Sequence, residues 1–374
     1  ILCGGENIDP DEILGVLSPQ IQQSADFTVA GLPDERLDSI PVLFFRPKSG
    51  QISLTSKFKQ QISNDLQTLP SLQRPRKIIP FPPKHRLSGI KPAQEELRDW
   101  ITDYERIRFE DWGNSSGKKI LALHGFMGSP HDFYNLALQL PEFHWIVPYL
   151  PGHGTPIGQF DNFEHGCELL VKWYQDFFPH TSFSLIGYSM GGRIALGMVE
   201  RILKDEGIKL LDDLILLSSS LGLDDEEKCG TRRAQDQDTS LQLHFSTKEE
   251  KRQFLHTWYS SSMWGTLNTK EFFSSLVEKR LGTPHDEWSK SMQLFGQGTH
   301  SNFKQTLKKL ALYHHQTTGQ RCYCFGALDS KYKKFAEEYK TLGFTTKEFP
   351  NTGHALLEEA PEAITRFIFE MRGN

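Results

Sequence analysis

Cysteine is scarce in this chain. Its 374 residues hold five, at Cys3, Cys167, Cys229, Cys322 and Cys324, an odd and scattered set that makes no disulfide framework. A reducing, cytoplasmic compartment is the simple expectation. Long apolar runs are missing too. None approaches the roughly 20 residues that cross a bilayer, so no membrane span is expected. Positive charge is not in excess: 42 Lys and Arg are interleaved with 47 Asp and Glu, for a formal net charge of −5. Nucleic acid would find no basic face, and nucleic-acid binding is set aside. Internal repeats and low-complexity tracts are absent from the sequence. So are an initiator Met and a signal-peptide pattern, and a chain opening at Ile1 is expected to be a piece of a longer polypeptide. The hydrophobic fraction of 37% and charged fraction of 24% suit a soluble globular protein with a real core. The length suits two or three domains.

The chain changes character near residue 105. Before it, Pro70, Pro75, Pro80, Pro82, Pro83 and Pro92 fall around a short β-like run, Lys77-Ile78-Ile79, and residues 93–101 read as helix. Asn114-Ser115-Ser116-Gly117 marks a turn. Strands at 119–124, 144–150, 182–187 and 210–217 then alternate with helices at 131–140, 163–178 and 190–203. Residues 222–310 break the rhythm. They are charged and helical, with Trp258, Trp264 and Trp288, and an insertion of this size between strands is expected to cap an active site. The alternation resumes with strands at 321–327 and 343–349 and helices at 333–341 and 361–371. This order predicts a mainly parallel sheet with helices on both faces. Cys322 and Cys324, two apart on a predicted strand, share a face. They read as buried thiols, because no second pair is present to complete a metal site.

Gly187-Tyr188-Ser189-Met190-Gly191 is a G-x-S-x-G motif that follows a predicted strand and opens a predicted helix. That is the setting of a nucleophile elbow in an α/β-hydrolase fold. The turn leaves no room for side chains beside the serine, hence the glycines. The helix start adds N–H groups and a positive dipole end. Such a serine needs a base, and the base needs an orienting acid. In this fold the chain order is serine, acid, histidine. Of the fourteen histidines, His354 stands in the loop between the last strand and the last helix. Asp329 stands just past the strand at 321–327. Asp212, Asp213 and Asp224 are rivals whose plain reading is solvated surface, and chain position favours Asp329. The turn His124-Gly125-Phe126-Met127-Gly128 would set the N–H of Phe126 opposite that of Met190 as an oxyanion hole; the alternative is an ordinary β-turn. His153, in Pro151-Gly152-His153-Gly154, reads as structural. Arg193 lies one helical turn beyond Ser189 and suits an anionic substrate. Arg232 and Arg233 of the cap could do the same or sit as solvated charges.

These residues resemble a particular family, the 2-succinyl-6-hydroxy-2,4-cyclohexadiene-1-carboxylate synthases of menaquinone biosynthesis. The shared words are LHGFMGS (123–129), LPGHG (150–154), GYSMGGR (187–193), WYSSSMW (258–264), FGQGTHSNF (295–303), GALDSKY (326–332) and TGHALLEEAP (352–361), and the likeness runs over residues 117–372. It implies a lyase that eliminates pyruvate from a small anionic substrate, 2-succinyl-5-enolpyruvyl-6-hydroxy-3-cyclohexene-1-carboxylate. Ser189 would then be a general base activated by His354 and Asp329, with no metal or organic cofactor. Arg193 and Arg232 would meet carboxylates, and Tyr188 and Trp258 would line the pocket. Gln293 stands where the family carries an Arg. A carboxylesterase or thioesterase using Ser189 as nucleophile is the alternative, and a non-catalytic interaction module a third reading.

The N-terminal part resembles a different family. Gly4-Gly5-Glu6-Asn7-Ile8, Gly31-Leu32-Pro33-Asp34-Glu35 and Gly89-Ile90-Lys91, with Leu97 and Trp100, look like the C-terminal lid of an adenylate-forming o-succinylbenzoate–CoA ligase. The implied organisation is a small α+β lid domain at 1–103 and an α/β-hydrolase domain at 104–374 with its cap at about 222–310. Lys91 would match the adenylation lysine. Without the ligase nucleotide-binding domain it has no phosphate loop to work with, and that domain is an expected contact partner.

Overall fold

A computed structural model describes residues 1–34, 36–47, 56–80, 97, 107–178, 180–205, 210–313 and 319–372. The chain divides into two compact units, Ile1–Arg106 and Ile107–Asn374.

In the first unit β1 (Leu2–Cys3) and β2 (Glu6–Asn7) form a small antiparallel ribbon. Helices α1 (Pro10–Gly15) and α2 (Pro19–Ser24) each start on a proline, whose missing N–H costs nothing at a helix N-terminus. Then β3 (Ala25–Asp34) pairs antiparallel with β4 (Asp38–Pro47). After α3 (Ser56–Leu66), β5 (Lys77–Pro80) joins β4 in parallel. The β-like run at Lys77 is thus a strand. Ile13, Leu43 and Ile62 are among the side chains that close this unit's own core. Of the helix expected at 93–101 only Leu97 is described; Lys91 and Trp100 lie outside the described residues.

The second unit is built on a seven-stranded sheet. Its strands are β6 (Phe109–Gly113), β7 (Lys119–Leu123), β8 (His144–Pro148), β9 (Phe183–Tyr188), β10 (Leu211–Leu217), β11 (Arg321–Gly326) and β12 (Thr345–Phe349). The spatial order is β12-β11-β10-β9-β7-β8-β6, and every pair is parallel except β6 with β8. Helices α4 (Tyr134–Gln139), α5 (Phe163–Phe177) and α6 (Met190–Lys204) follow the early strands. Each strand's alternate residues feed one of two cores: Leu121, Leu185 and Leu216 on one face, Ile120, Ile186 and Ile215 on the other. The expected mainly parallel sheet, covered on both faces, is what forms.

Local chemistry moves some boundaries. The helix expected at 131–140 begins as a 3-10 turn, Pro130–Phe133, fixed by a capping box between Ser129 and Asp132. The helix expected from 333 starts earlier and splits into α12 (Ser330–Lys333) and α13 (Phe335–Thr341). The last strand begins at Thr345 because Gly343 turns the chain at φ +84°.

The insertion between β10 and β11 carries α7 (Glu226–Leu241), α8 (Lys248–Tyr259), α9 (Phe273–Leu281), α10 (Trp288–Phe295) and α11 (Lys304–Leu312). Its core of Leu255, Leu267 and Val277 takes in Met127 and Ala355 from the loops beneath, so it packs down as a cap. A buried ion pair ties it there. Arg280 of α9 reaches Asp132 at 2.7 Å and Tyr259 Oη at 3.3 Å, while Lys279 meets the same carboxylate at 2.8 Å. Burial alone would raise the Asp132 pKa, but the Arg280 and Lys279 charges outweigh it and hold the carboxyl far below the usual range. Arg280→Ala leaves that carboxylate short of its main partner and is expected to cost about 3–5 kcal/mol in denaturant unfolding. Because the folded pKa is depressed, this stabilisation is complete above the unfolded value of 3.8 and fades as pH falls below it. Equal midpoints for wild type and variant at pH 7 would contradict it.

After β12, α14 (Leu356–Glu359) and α15 (Pro361–Arg372) close the chain.

Candidate active site

The elbow forms as its residues require. Ser189 sits between β9 and α6 with φ +52° and ψ −110°, a backbone state that L-residues rarely adopt. Its N–H is held by Leu217 O at 2.9 Å. A Cβ at Gly187 would lie 2.5 Å from Gly192 Cα, and one at Gly191 would lie 2.1 Å from Leu123 O. The bend is therefore closed to side chains at both positions. Of the two residues, Ser189 keeps some exposure while Met190 is buried.

Three loops at the C-terminal ends of β9, β11 and β12 bring the expected triad residues together. His354 Nε2 is 2.9 Å from Ser189 Oγ, and His354 Nδ1 is 2.7 Å from Asp329 Oδ2. Asp329 spends its other oxygen capping α12, where Oδ1 accepts the Tyr332 N–H at 3.1 Å. One carboxylate thereby fixes a helix and orients the imidazole. Tyr188 Oη donates to His354 O at 3.0 Å, and the rings of Tyr332 and Trp264 flank the imidazole at 4.5 and 5.0 Å. Burial lowers the His354 pKa below 6.5; the Asp329 bond opposes the fall, and the Lys331 and Arg193 charges add to it. The ring is neutral at neutral pH and free to accept the Ser189 proton. The rival acids lie elsewhere. Asp212 accepts from Ser182 Oγ, and Asp224 pairs with Lys304. Asp213 is no solvated surface residue: it is buried between Ser184 Oγ at 2.7 Å and the Gln320 N–H at 2.8 Å.

Phe126 and Met190 both border the cleft above Ser189. No turn, loop or side-chain hydrogen bond among the described residues uses the N–H of either one. The neighbouring Met127 N–H is instead spent on His153 Nε2 at 2.9 Å. His153 Nδ1 is 3.0 Å from Pro151 O, so both ring nitrogens hold backbone, a structural role.

The cleft, with its open mouth, spans about 620 Å³. Tyr188, Arg193, Arg232 and Trp258 all line it. Arg193 is buried and gives Nη2–H to Phe295 O at 3.0 Å, while its Nε–H has no acceptor. No carboxylate pairs with it among the described residues. Burial lowers its pKa, yet a guanidinium stays protonated. Arg232 meets Asp236 at 2.8 Å and Gln297 Oε1 at 3.3 Å. Arg233 turns away to Gly298 O and Glu226. Gln293 bonds Ser240 Oγ at 2.8 Å and does not line the cleft.

Lys331 is the lining residue that sequence reading missed. Burial first, then the Arg232 and Arg193 charges, push its ammonium down to about 8. It too has no carboxylate partner among the described residues. The signal was present: Lys331 follows Asp329 by two residues within the GALDSKY word. Cys322 and Cys324 lie buried on β11, where burial pushes the Cys322 thiol up to about 12. No metal-ligating cluster exists among the described residues.

Known proteins share this architecture. The sequence profile described as alpha/beta hydrolase family matches residues 120–367. A Haemophilus influenzae protein, provisionally named 2-succinyl-6-hydroxy-2,4-cyclohexadiene-1-carboxylate synthase, is 28% identical over 210 residues, covering 56% of this chain and 83% of that one. A Salmonella agona protein of the same name without the proviso is 23% identical over 256 residues, 67% of this chain and 92% of that one. Protein PHYLLO, chloroplastic, of Arabidopsis thaliana is 25% identical over 296 residues, which are 73% of this chain but 16% of the plant protein. Among solved structures, MenH from S. aureus superposes with a TM-score of 0.61 at 24% identity, covering 70% of this chain and 97% of its own.

Proposed function

The chain belongs to the alpha/beta hydrolase family, and from that premise we propose that it is a lyase eliminating pyruvate from 2-succinyl-5-enolpyruvyl-6-hydroxy-3-cyclohexene-1-carboxylate. One observation carries this reading: Arg193 is buried beside Ser189 and, among the described residues, forms no ion pair with a carboxylate. Lys331 and Arg232 border the same cleft. An ester hydrolase has no need of such unspent charge, whereas a compact polycarboxylate supplies the missing partners. The names of the relatives support the same reaction.

In the proposed reaction Ser189 Oγ takes the proton on the ring carbon beside the succinyl ketone, and its own proton passes to His354 Nε2. The electron pair moves onto the ketone oxygen, where the N–H groups of Phe126 and Met190 receive the developing charge. As the pair returns through the ring, a cyclohexadiene forms and the bond to the enolpyruvyl oxygen breaks. Enolpyruvate leaves and ketonises to pyruvate. Trp258 and Tyr188 wall the ring. Residues 1–103 are read, on their sequence words, as the lid domain of an o-succinylbenzoate–CoA ligase.

The deciding experiment feeds the purified chain the enolpyruvyl substrate and follows pyruvate. Absence of release beside robust hydrolysis of p-nitrophenyl esters would replace the lyase by an esterase, and inertness in both would favour an interaction module. The cleft also predicts an alkaline limb. As Lys331 loses its proton near pH 8, KM for the polyanion is expected to rise several-fold while kcat holds. Lys331→Met should raise KM at pH 7 and flatten that limb. An unchanged limb in this variant would remove Lys331 from the binding site.

A further inference from the structure

Glu359 lies outside the cleft and plays no part in the reaction as drawn, yet it sits against the loop that carries His354. Its Oε1 accepts the Gly353 N–H at 3.0 Å, and its own N–H donates to Ala355 O at 2.9 Å. These are the residues on either side of His354. Packing leaves Gly353 little freedom otherwise: a Cβ there would lie 2.4 Å from Trp264 O and 3.2 Å from Glu359 Oε1. Tyr188 Oη and the Leu356 N–H both donate to the His354 carbonyl. The loop is thus gripped at three consecutive residues. Glu359 Oε2 is buried with no hydrogen-bond partner. That is a poor arrangement for stability and a sound one for holding a backbone donor with a charge.

We infer that Glu359 is a positioning residue: its carboxylate clasps the Gly353 amide beside His354 and so fixes where the imidazole meets Ser189. The clasp works while the carboxylate is ionised. Burial raises its pKa to about 6, against the lowering effects of the Gly353 and Ala355 N–H groups and of Lys270; Asp329 pushes it further up. Lys270 is itself engaged with Asn351 O at 3.4 Å, and the adjacent Glu358 is committed to Lys279 and Arg280. The nearest cation therefore does not neutralise Glu359. As pH falls through about 6, protonation of this carboxylate should loosen the histidine loop.

The test uses diisopropyl fluorophosphate on the whole chain, because this probe reads the Ser189–His354 pair without assuming a natural substrate. Ser189 Oγ bonds phosphorus as the P–F bond breaks, with fluoride leaving and the serine proton taken by His354. Failure of the lyase reading would leave this assay untouched. Glu359→Gln is expected to lower the maximal labelling rate at pH 8 by between about 10- and 100-fold, the cost of a small misplacement of a reacting group. The half-saturating reagent concentration should not change. Below about pH 6 the wild-type carboxyl is protonated as well, so the ratio of wild-type to Glu359→Gln labelling rates should shrink as pH falls through that value. A raised carboxyl pKa means that the ionised form costs the fold stability above about pH 6, so Glu359→Gln should keep or raise the melting temperature at pH 8. A rate ratio that does not change with pH would overturn the inference, as would a lower melting temperature with an unchanged labelling rate. Glu359→Asp, whose shorter side chain keeps the charge but not the reach, should resemble Glu359→Gln in rate at pH 8.

Discussion

Ser189→Ala is expected to reduce the turnover of pyruvate release by about 10³-fold or more while leaving KM within a few-fold of wild type. The change deletes the one atom, Oγ, that His354 Nε2 addresses at 2.9 Å. It leaves the cations of the cleft, the Phe126 and Met190 N–H groups and the aromatic walls in place, so binding survives and residual turnover reflects those groups alone. Stability should hardly move. Alanine keeps a Cβ at φ +52°, so the strain of the elbow is neither relieved nor increased. Pyruvate is followed by coupled reduction with lactate dehydrogenase, and the fold by thermal unfolding. Turnover within tenfold of wild type in a folded variant would mean that the base lies elsewhere and that the elbow serine is a bystander.

Arg193→Met should separate affinity from stability, moving them in opposite directions. Truncating one side of a buried charge pair costs about 2–5 kcal/mol, so kcat/KM for the polycarboxylate is expected to fall by about 30-fold at least, at 1.4 kcal/mol per tenfold. The free protein has the reverse preference. In it the guanidinium is desolvated, bonded to Phe295 O alone, and has an Nε–H without an acceptor. Methionine has nearly the same reach and no charge to bury, so the melting temperature should rise. Labelling of Ser189 by a neutral fluorophosphonate should be nearly unaffected, since the triad is intact. If both affinity and stability fell, Arg193 would be a structural residue, and the case for an anionic substrate would lose its main support.

How much of this was legible beforehand follows from the range of each interaction. The alternating strands and helices of the second unit are local patterns with periods of two and 3.6, and they were read almost to the residue. The elbow was legible for the same reason, because a turn too tight for Cβ atoms at Gly187 and Gly191 writes itself as glycine. Asp329 and His354 were reachable from chain order, since a doubly wound sheet delivers successive loops to one edge. Boundaries shifted where a capping group, as at Ser129 and Asp329, started a helix early.

What the sequence determined by itself, then, was the alternation of strands and helices that makes a mainly parallel sheet, and the chain positions of Ser189, Asp329 and His354 in its loops. The partners of the charged side chains were decided only by the tertiary structure. Arg232 and Arg233 are neighbours in sequence, but about 100° of helical rotation sends one to the cleft and the other to Glu226 and Gly298. Asp132 and Arg280 are 148 residues apart, and nothing near either predicts the other. Arg193 and Lys331 come from different strand ends, and that neither forms an ion pair among the described residues is a property of the assembled cleft. Helix and strand periods assign a residue to a face. Which charge meets it there, or whether it is left for a ligand, depends on contacts that form only when distant segments pack.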